Sequence, residues 1–219
     1  MKVKICGITS ITDGLAAVEA GADLIGLNFY AKSPRYLTPE AAYEIVTALK
    51  AELGTNHPII VGLFVNQIVS TISQVMKTVG FHHVQLSGDE SAEVVRELRG
   101  TAYKAIRPPS QEEALKDIAH FEGVASPDEN IPSLLLDAFH PNLYGGTGVQ
   151  ASVEIAQVVR SKTSRMMLAG GLKPDNVGAL VKAIRPWGVD VASGVEIDSK
   201  AGKKDALKMR DFVQAAKQE

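Results

Sequence analysis

Residues 166–193 read MMLAGGLKPDNVGALVKAIRPWGVDVAS, and this stretch decides the fold. The apolar run MMLA breaks at two glycines, an amphipathic segment follows, and a second apolar run, VDVAS, ends at another glycine. Runs that are apolar throughout, with no alternation, predict strands covered on both faces, as in a parallel sheet clad with helices. The same unit recurs outward from here. Further runs stand at VKIC (3–6), LIGLNF (24–29), IIVGLFV (59–65), HVQL (83–86), AYKAI (102–106) and LLLD (134–137). Seven intervening segments and the C-terminal one read as amphipathic helices. Thr38-Pro39-Glu40 offers an N-cap with proline in the first helical position. Ser110-Gln111-Glu112-Glu113 fits a capping box, and Lys173-Pro174-Asp175 predicts another helix start.

Strand–helix units spaced ~20–35 residues apart predict an α/β fold, a single-domain (β/α)8 TIM barrel with an eight-stranded parallel sheet over residues 1–219. A flavodoxin-like open sheet is the alternative, but it normally uses fewer strands in a shorter chain. The polar stretch GVASPDENIP (123–132), with two prolines, predicts a surface loop before the sixth strand.

Composition narrows the class. The chain has 219 residues, is 45% hydrophobic and carries a formal net charge of −2. That suits a sizeable core and offers no bulk charge for nucleic acid or an anionic membrane, so neither is expected as a partner. Cys6 is the only cysteine, which excludes an internal disulfide and a cysteine-cluster metal site. A reducing, cytoplasmic setting is the natural reading. The apolar part of MKVKICGIT is too short for a signal peptide, and the run from Ile59 to Val65 cannot span a bilayer. The histidines lack metal-ligand spacing, and neither a G-x-S-x-G elbow nor a Walker A loop is present. No metal is expected.

A barrel brings the residues that follow its strands to one rim, where such enzymes carry their sites. Cys6, Arg35, Asp137, Gly146, Gly170, Gly171, Asp190, Ser193 and Gly194 all fall in or beside those positions. A weak acid and a weak base on one rim suit proton transfer. Asp137 closes a run of three leucines, where partial burial of a carboxylate is costly unless it is paired; a structural aspartate bonded to backbone amides is the alternative. Cys6 is a candidate base or a small buried hydrophobe. The guanidinium of Arg35 suits a carboxylate, or else it is a solvated surface arginine. Asp190 is a second rim carboxylate or a strand-end partner for an amide. GGTG (145–148), AGGL (169–172) and ASGVE (192–196) follow the late strands, and glycine lets backbone N–H groups approach an anion. Together they point to a phosphorylated small molecule as substrate.

The chain resembles the phosphoribosylanthranilate isomerase family of tryptophan biosynthesis. The matching strings are KICGIT (4–9), GADLIGLNFYAKSPRYLTPEAA (21–42), VGLFVN (61–66), VQLSGDE (84–90), KAIR (104–107), LLLDA (134–138), GGTG (145–148), LAGGLKPDNV (168–177) and VDVASGVE (189–196), in order along essentially the whole chain. The resemblance implies an Amadori rearrangement of N-(5-phosphoribosyl)anthranilate to 1-(2-carboxyphenylamino)-1-deoxy-D-ribulose 5-phosphate, without metal or organic cofactor. It implies Asp137 as general acid, Cys6 as general base and Arg35 as partner of the anthranilate carboxylate. Gly170, Gly171, Ser193 and Gly194 look like the phosphate cradle, and Asp190 is similar to a family residue near the anthranilate amine.

Two positions depart from the family. Ser87 stands where a histidine is usual, and Val149-Gln150-Ala151-Ser152 replaces a basic residue followed by a T-F-D-W string. Two other functions stay open on sequence alone. One is a lyase or synthase on a phosphate-binding barrel, which KICGIT argues against. The other is a non-catalytic binder of a phosphorylated sugar. The sequence sets no oligomeric state.

Overall fold

The computed structural model describes residues 1–137 and 152–218. Eight parallel strands close into a barrel in sequential order: β1 (Lys2–Cys6), β2 (Leu24–Asn28), β3 (Ile59–Phe64), β4 (His83–Leu86), β5 (Ala102–Ile106), β6 (Leu134–Leu136), β7 (Met166–Leu168) and β8 (Gly188–Val191). The helices between and after them are α1 (Ile11–Glu19), α2 (Pro39–Leu53), α3 (Val69–Val79), α4 (Ala92–Glu97), α5 (Gln111–Phe121), α6 (Val153–Lys162), α7 (Val177–Ile184) and α8 (Ala206–Lys217). Pairing of β1 with β8 closes the sheet and excludes the open-sheet alternative. Each apolar run of the sequence supplies one strand. No helix among the described residues is long and apolar enough to cross a membrane.

Alternation along each strand divides the core in two. In β2, Ile25 and Leu27 pack outward against the helices, whereas Leu24 points into the barrel with Val61, Tyr103, Ala105, Leu135, Met167 and Ala169. Both faces are covered, so the strands read as continuous apolar runs. The registers stack the inward side chains in layers drawn from alternate strands. Lys4, Val61, Tyr103 and Met167 form one layer; Gly26, Gln85, Leu135 and Asp190 lie above it; Cys6, Leu63, Ala105 and Ala169 come next; Asn28, Ser87 and Asp137 stand at the rim.

Helix starts follow the sequence signals, with one exception. Thr38 accepts a hydrogen bond from the amide of Ala41, and Ser110 from that of Glu113. The Lys173-Pro174-Asp175 segment, in contrast, is a turn, and α7 starts only at Val177. Asn176 is the reason. Its Oδ1 accepts from the Lys173 amide and its Nδ2 donates to the Gly171 carbonyl, which satisfies the turn locally and delays the helix.

The polar stretch 123–132 lies before β6 as expected, but it does more than cover surface. Ile131 is completely buried and packs into the barrel interior, closing it from the N-terminal side. Arg165 pins the stretch by donating to the carbonyls of Ile131 and Ser126.

Candidate active site

The C-terminal ends of the strands enclose a pocket. Among the described residues it gathers Cys6, Arg35, Asp137, Gly170, Gly171, Asp190, Ser193 and Gly194, which the sequence nominated. Gly146 and the rest of GGTG lie outside the described residues, as do Val149, Gln150 and Ala151.

Cys6 is the last residue of β1 and is almost fully buried, at the pocket floor. Burial pushes its thiol up from the ordinary value, and the charge of Lys4 acts against that shift. The next residue, Gly7, has φ +74°, and a side chain there would start 2.4 Å from Cδ of Arg35. Glycine is therefore required for Arg35 to cross the start of that loop.

Arg35 is not a solvated surface arginine. It is 8% exposed, and Glu196 grips one edge of its guanidinium, with Nε–Oε1 at 2.7 Å and Nη2–Oε2 at 2.8 Å. Lys204, also buried, donates to Glu196 Oε1 at 3.1 Å and to the Ala192 carbonyl at 2.9 Å. Burial alone would raise the Glu196 carboxyl, but Arg35 and Lys204 outweigh it and hold the group below its ordinary value. The clamp fixes the guanidinium plane while Arg35 still lines the pocket. Ser33 fixes the backbone of the same loop: its Oγ accepts from the Arg35 amide and from Nδ2 of Asn28.

Asp137 directly follows β6, its amide bonded to the Ile106 carbonyl at 3.0 Å. It is half-buried on the pocket wall, so it combines access to a ligand with partial removal from water. Asp190, on β8, is 7% exposed, and its Oδ2 accepts from Lys4 Nζ at 3.1 Å. Among the described residues its Oδ1 is buried with no hydrogen-bond partner.

The loops after β7 and β8 touch. Gly170 and Gly171 have φ of +89° and +63°, and a side chain on Gly194 would start 1.9 Å from the Leu172 carbonyl oxygen. Only a bare backbone permits that approach, which leaves a polar concavity of main-chain groups at one end of the pocket.

Sequence reasoning missed Lys4 and Glu196, as well as the Lys204 already described. Lys4 is fully buried two layers below Cys6 on the same strand, and its ammonium donates to Gln85 Oε1 at 2.9 Å as well as to Asp190. Gln85 also accepts from the Tyr103 hydroxyl at 3.0 Å and donates to Ser87 Oγ at 3.0 Å. Ser87, where the family usually has histidine, thus ends a buried polar chain at the pocket. Alternation along VKIC was the available signal: Lys4 and Cys6 share a face. Glu196 is the second miss, visible only as a letter in SGVE. Among the described residues no group of side chains is arranged to hold a metal ion.

Comparison with known proteins shows the family. A family model described as N-(5'-phosphoribosyl)anthranilate isomerase matches residues 3–215. The isomerase of that name from Trichlorobacter lovleyi is 42% identical over 218 residues, covering 100% of this chain and 98% of the relative. The one from Geobacter sulfurreducens is 40% identical over 217 residues, covering 99% and 98%. Among solved structures, phosphoribosylanthranilate isomerase from Thermotoga maritima superposes with a TM-score of 0.85 at 34% identity over the whole of both chains. A phosphoribosylanthranilate isomerase in complex with reduced 1-(o-carboxyphenylamino)-1-deoxyribulose 5-phosphate gives 0.82 at 33%, again with 100% coverage of both.

Proposed function

We propose, from the premise that this chain belongs to the N-(5'-phosphoribosyl)anthranilate isomerase family, that Asp137 and Cys6 carry its chemistry as general acid and general base. The substrate is N-(5'-phosphoribosyl)anthranilate, a phosphorylated small molecule, and the pathway is tryptophan biosynthesis. One observation carries the assignment. A single pocket holds a half-buried carboxylate, a buried thiol, a clamped guanidinium and a bare-backbone concavity, and these match the parts of that substrate.

The substrate phosphate sits in the loops of Gly170, Gly171, Ser193 and Gly194, where main-chain N–H groups meet its charge. Its carboxylate takes the edge of Arg35 that Glu196 leaves open, and Asp190 faces the anthranilate amine. Asp137 gives a proton to the ribose ring oxygen as the C1–O bond breaks, and the substrate nitrogen supplies the electron pair that forms an iminium. The Cys6 thiolate then removes the C2 proton, and the C–H electrons move through C1 to nitrogen. The resulting enolamine tautomerises to the ketone. The substrate's own nitrogen is the electron sink, so an acid and a base suffice.

Cys6→Ala and Asp137→Asn test the assignment separately. Each is expected to lower kcat by at least ~10²-fold with far-ultraviolet circular dichroism unchanged, the low end for a positioned acid or base. A folded variant of either kind that turns over near the native rate removes that residue from the mechanism.

A further inference from the structure

Lys4 is a charged side chain in the most enclosed part of the molecule, with no direct place in the chemistry above. It is 0% exposed, and a buried ammonium is tolerated only when its N–H groups are met. Gln85 Oε1 and Asp190 Oδ2 take two of them, and the Cys6 sulfur is its third polar neighbour. The wall of β2 shows the same convergence. A side chain on Gly26 would start 2.7 Å from Cys6 Sγ and 3.1 Å from Lys4 Nζ, so sulfur and ammonium crowd one bare patch of strand.

We propose that Lys4 is a positioning residue that favours the thiolate form of the Cys6 sulfur, so that it can serve as base beneath the substrate. The proposal rests on the reading of Cys6 as the base. Lys4 stays an ammonium throughout: the proton that Cys6 acquires comes from C2, and none passes to or from Nζ. A purely structural Lys4–Asp190 pair fits the geometry less well. A buried ion pair is a weak stabilising device unless its remaining lone pairs are met, and here Asp190 Oδ1 is buried without a partner among the described residues, on a residue that lines the pocket.

Other charged and titratable groups also act on Cys6. They are Tyr103 from β5, Asp190 from β8 and Lys204 from the segment before α8, while Arg35 and Asp137 share its pocket. Burial drives the thiol up and Asp190 adds to that; Lys4 is the strongest opposing group, ahead of Lys204. Lys204 is already committed to Glu196 and the Ala192 carbonyl. Lys4 and Asp190 therefore act on the sulfur with opposite signs.

The single cysteine makes the test clean, because any thiolate signal belongs to Cys6. Thiolate ultraviolet absorbance and iodoacetamide alkylation are followed against pH in the full-length protein. Lys4→Met is expected to raise the Cys6 midpoint by about one pH unit or more, and Asp190→Asn to lower it. The Lys4→Met/Asp190→Asn double variant, which buries no unpaired charge and serves if Lys4→Met does not fold, is expected between native and Lys4→Met. In the pH profile of kcat/KM the acidic limb moves up with the midpoint. A merely structural lysine would depress activity at every pH and leave that limb in place. A double-variant midpoint at or below native, or an unmoved acidic limb, overturns the proposal. If Cys6→Ala is inactive while the midpoint stays put, Lys4 alone is misassigned. If Cys6→Ala turns over, the base reading fails and the role of Lys4 fails with it.

Discussion

Arg35 presents a fork of N–H donors, and Glu196 fills one edge of it. Arg35→Lys keeps the charge but loses both the fork and the planar grip. KM is expected to rise roughly ten- to a hundredfold, corresponding to about 1.5–3 kcal/mol for a charge-assisted contact, with a smaller change in kcat. An unchanged KM in steady-state kinetics would remove Arg35 from substrate binding. Glu196 carries a pH signature of its own. Its carboxyl is held below the ordinary value in the folded state, so its ion pairs stabilise the fold above the unfolded value, and that contribution disappears as pH falls through the folded one. Glu196→Gln is therefore expected to lower the urea midpoint at pH 7, with the gap from native closing below about pH 4. The place of Cys6 and Asp137 in the pocket was legible because each ends an apolar run. Glu196 was not, because its meaning comes from an arginine 161 residues earlier in the chain.

Two loops and a strand are tied by one buried ion pair. Glu90 accepts from the amides of Asn66 and Gly88, and Lys104 Nζ, 3.3 Å from Glu90, donates to the carbonyls of Gly88 and Ala105. The pair joins the segments after β3 and β4 to β5 itself, close to Ser87. Glu90→Ala strands a buried lysine and is expected to cost ~3–5 kcal/mol in urea unfolding; a loss near zero would mean that the loops hold without it. The contact between the β7 and β8 loops is equally specific. Gly194→Ala puts a methyl group 1.9 Å from the Leu172 oxygen, so the loops must separate. Its KM is expected to rise more than its kcat falls, and inorganic phosphate should inhibit it more weakly than native. Equal phosphate inhibition in the two proteins would place the phosphate elsewhere. Capping at Thr38 and Ser110 was readable from local letters. The late start of α7 was not, because an Asn176 side chain settled the competition between turn and helix.

The whole barrel follows from eight apolar runs, but its interior does not. Continuous hydrophobicity announces strands covered twice, and their number and spacing lead to the closed sheet. What the runs conceal is register. Register sets Lys4 beneath Cys6, joins Gln85 to Tyr103 and Ser87, and brings Asp137 and Asp190 to one pocket from strands far apart in sequence. Ile131 shows the same limit, since nothing in GVASPDENIP marks it as the plug of the barrel floor. Under the proposed assignment this rim rearranges N-(5'-phosphoribosyl)anthranilate by proton transfer. The most direct test of that assignment is the fluorescence decay of freshly generated substrate, followed with the native protein and with Asp137→Asn. Rapid decay with native protein and near-abolition in the variant is the expected result. No decay above the spontaneous background with native protein, phosphate-ligand binding being retained, would contradict the account and leave a sugar-phosphate binder in its place.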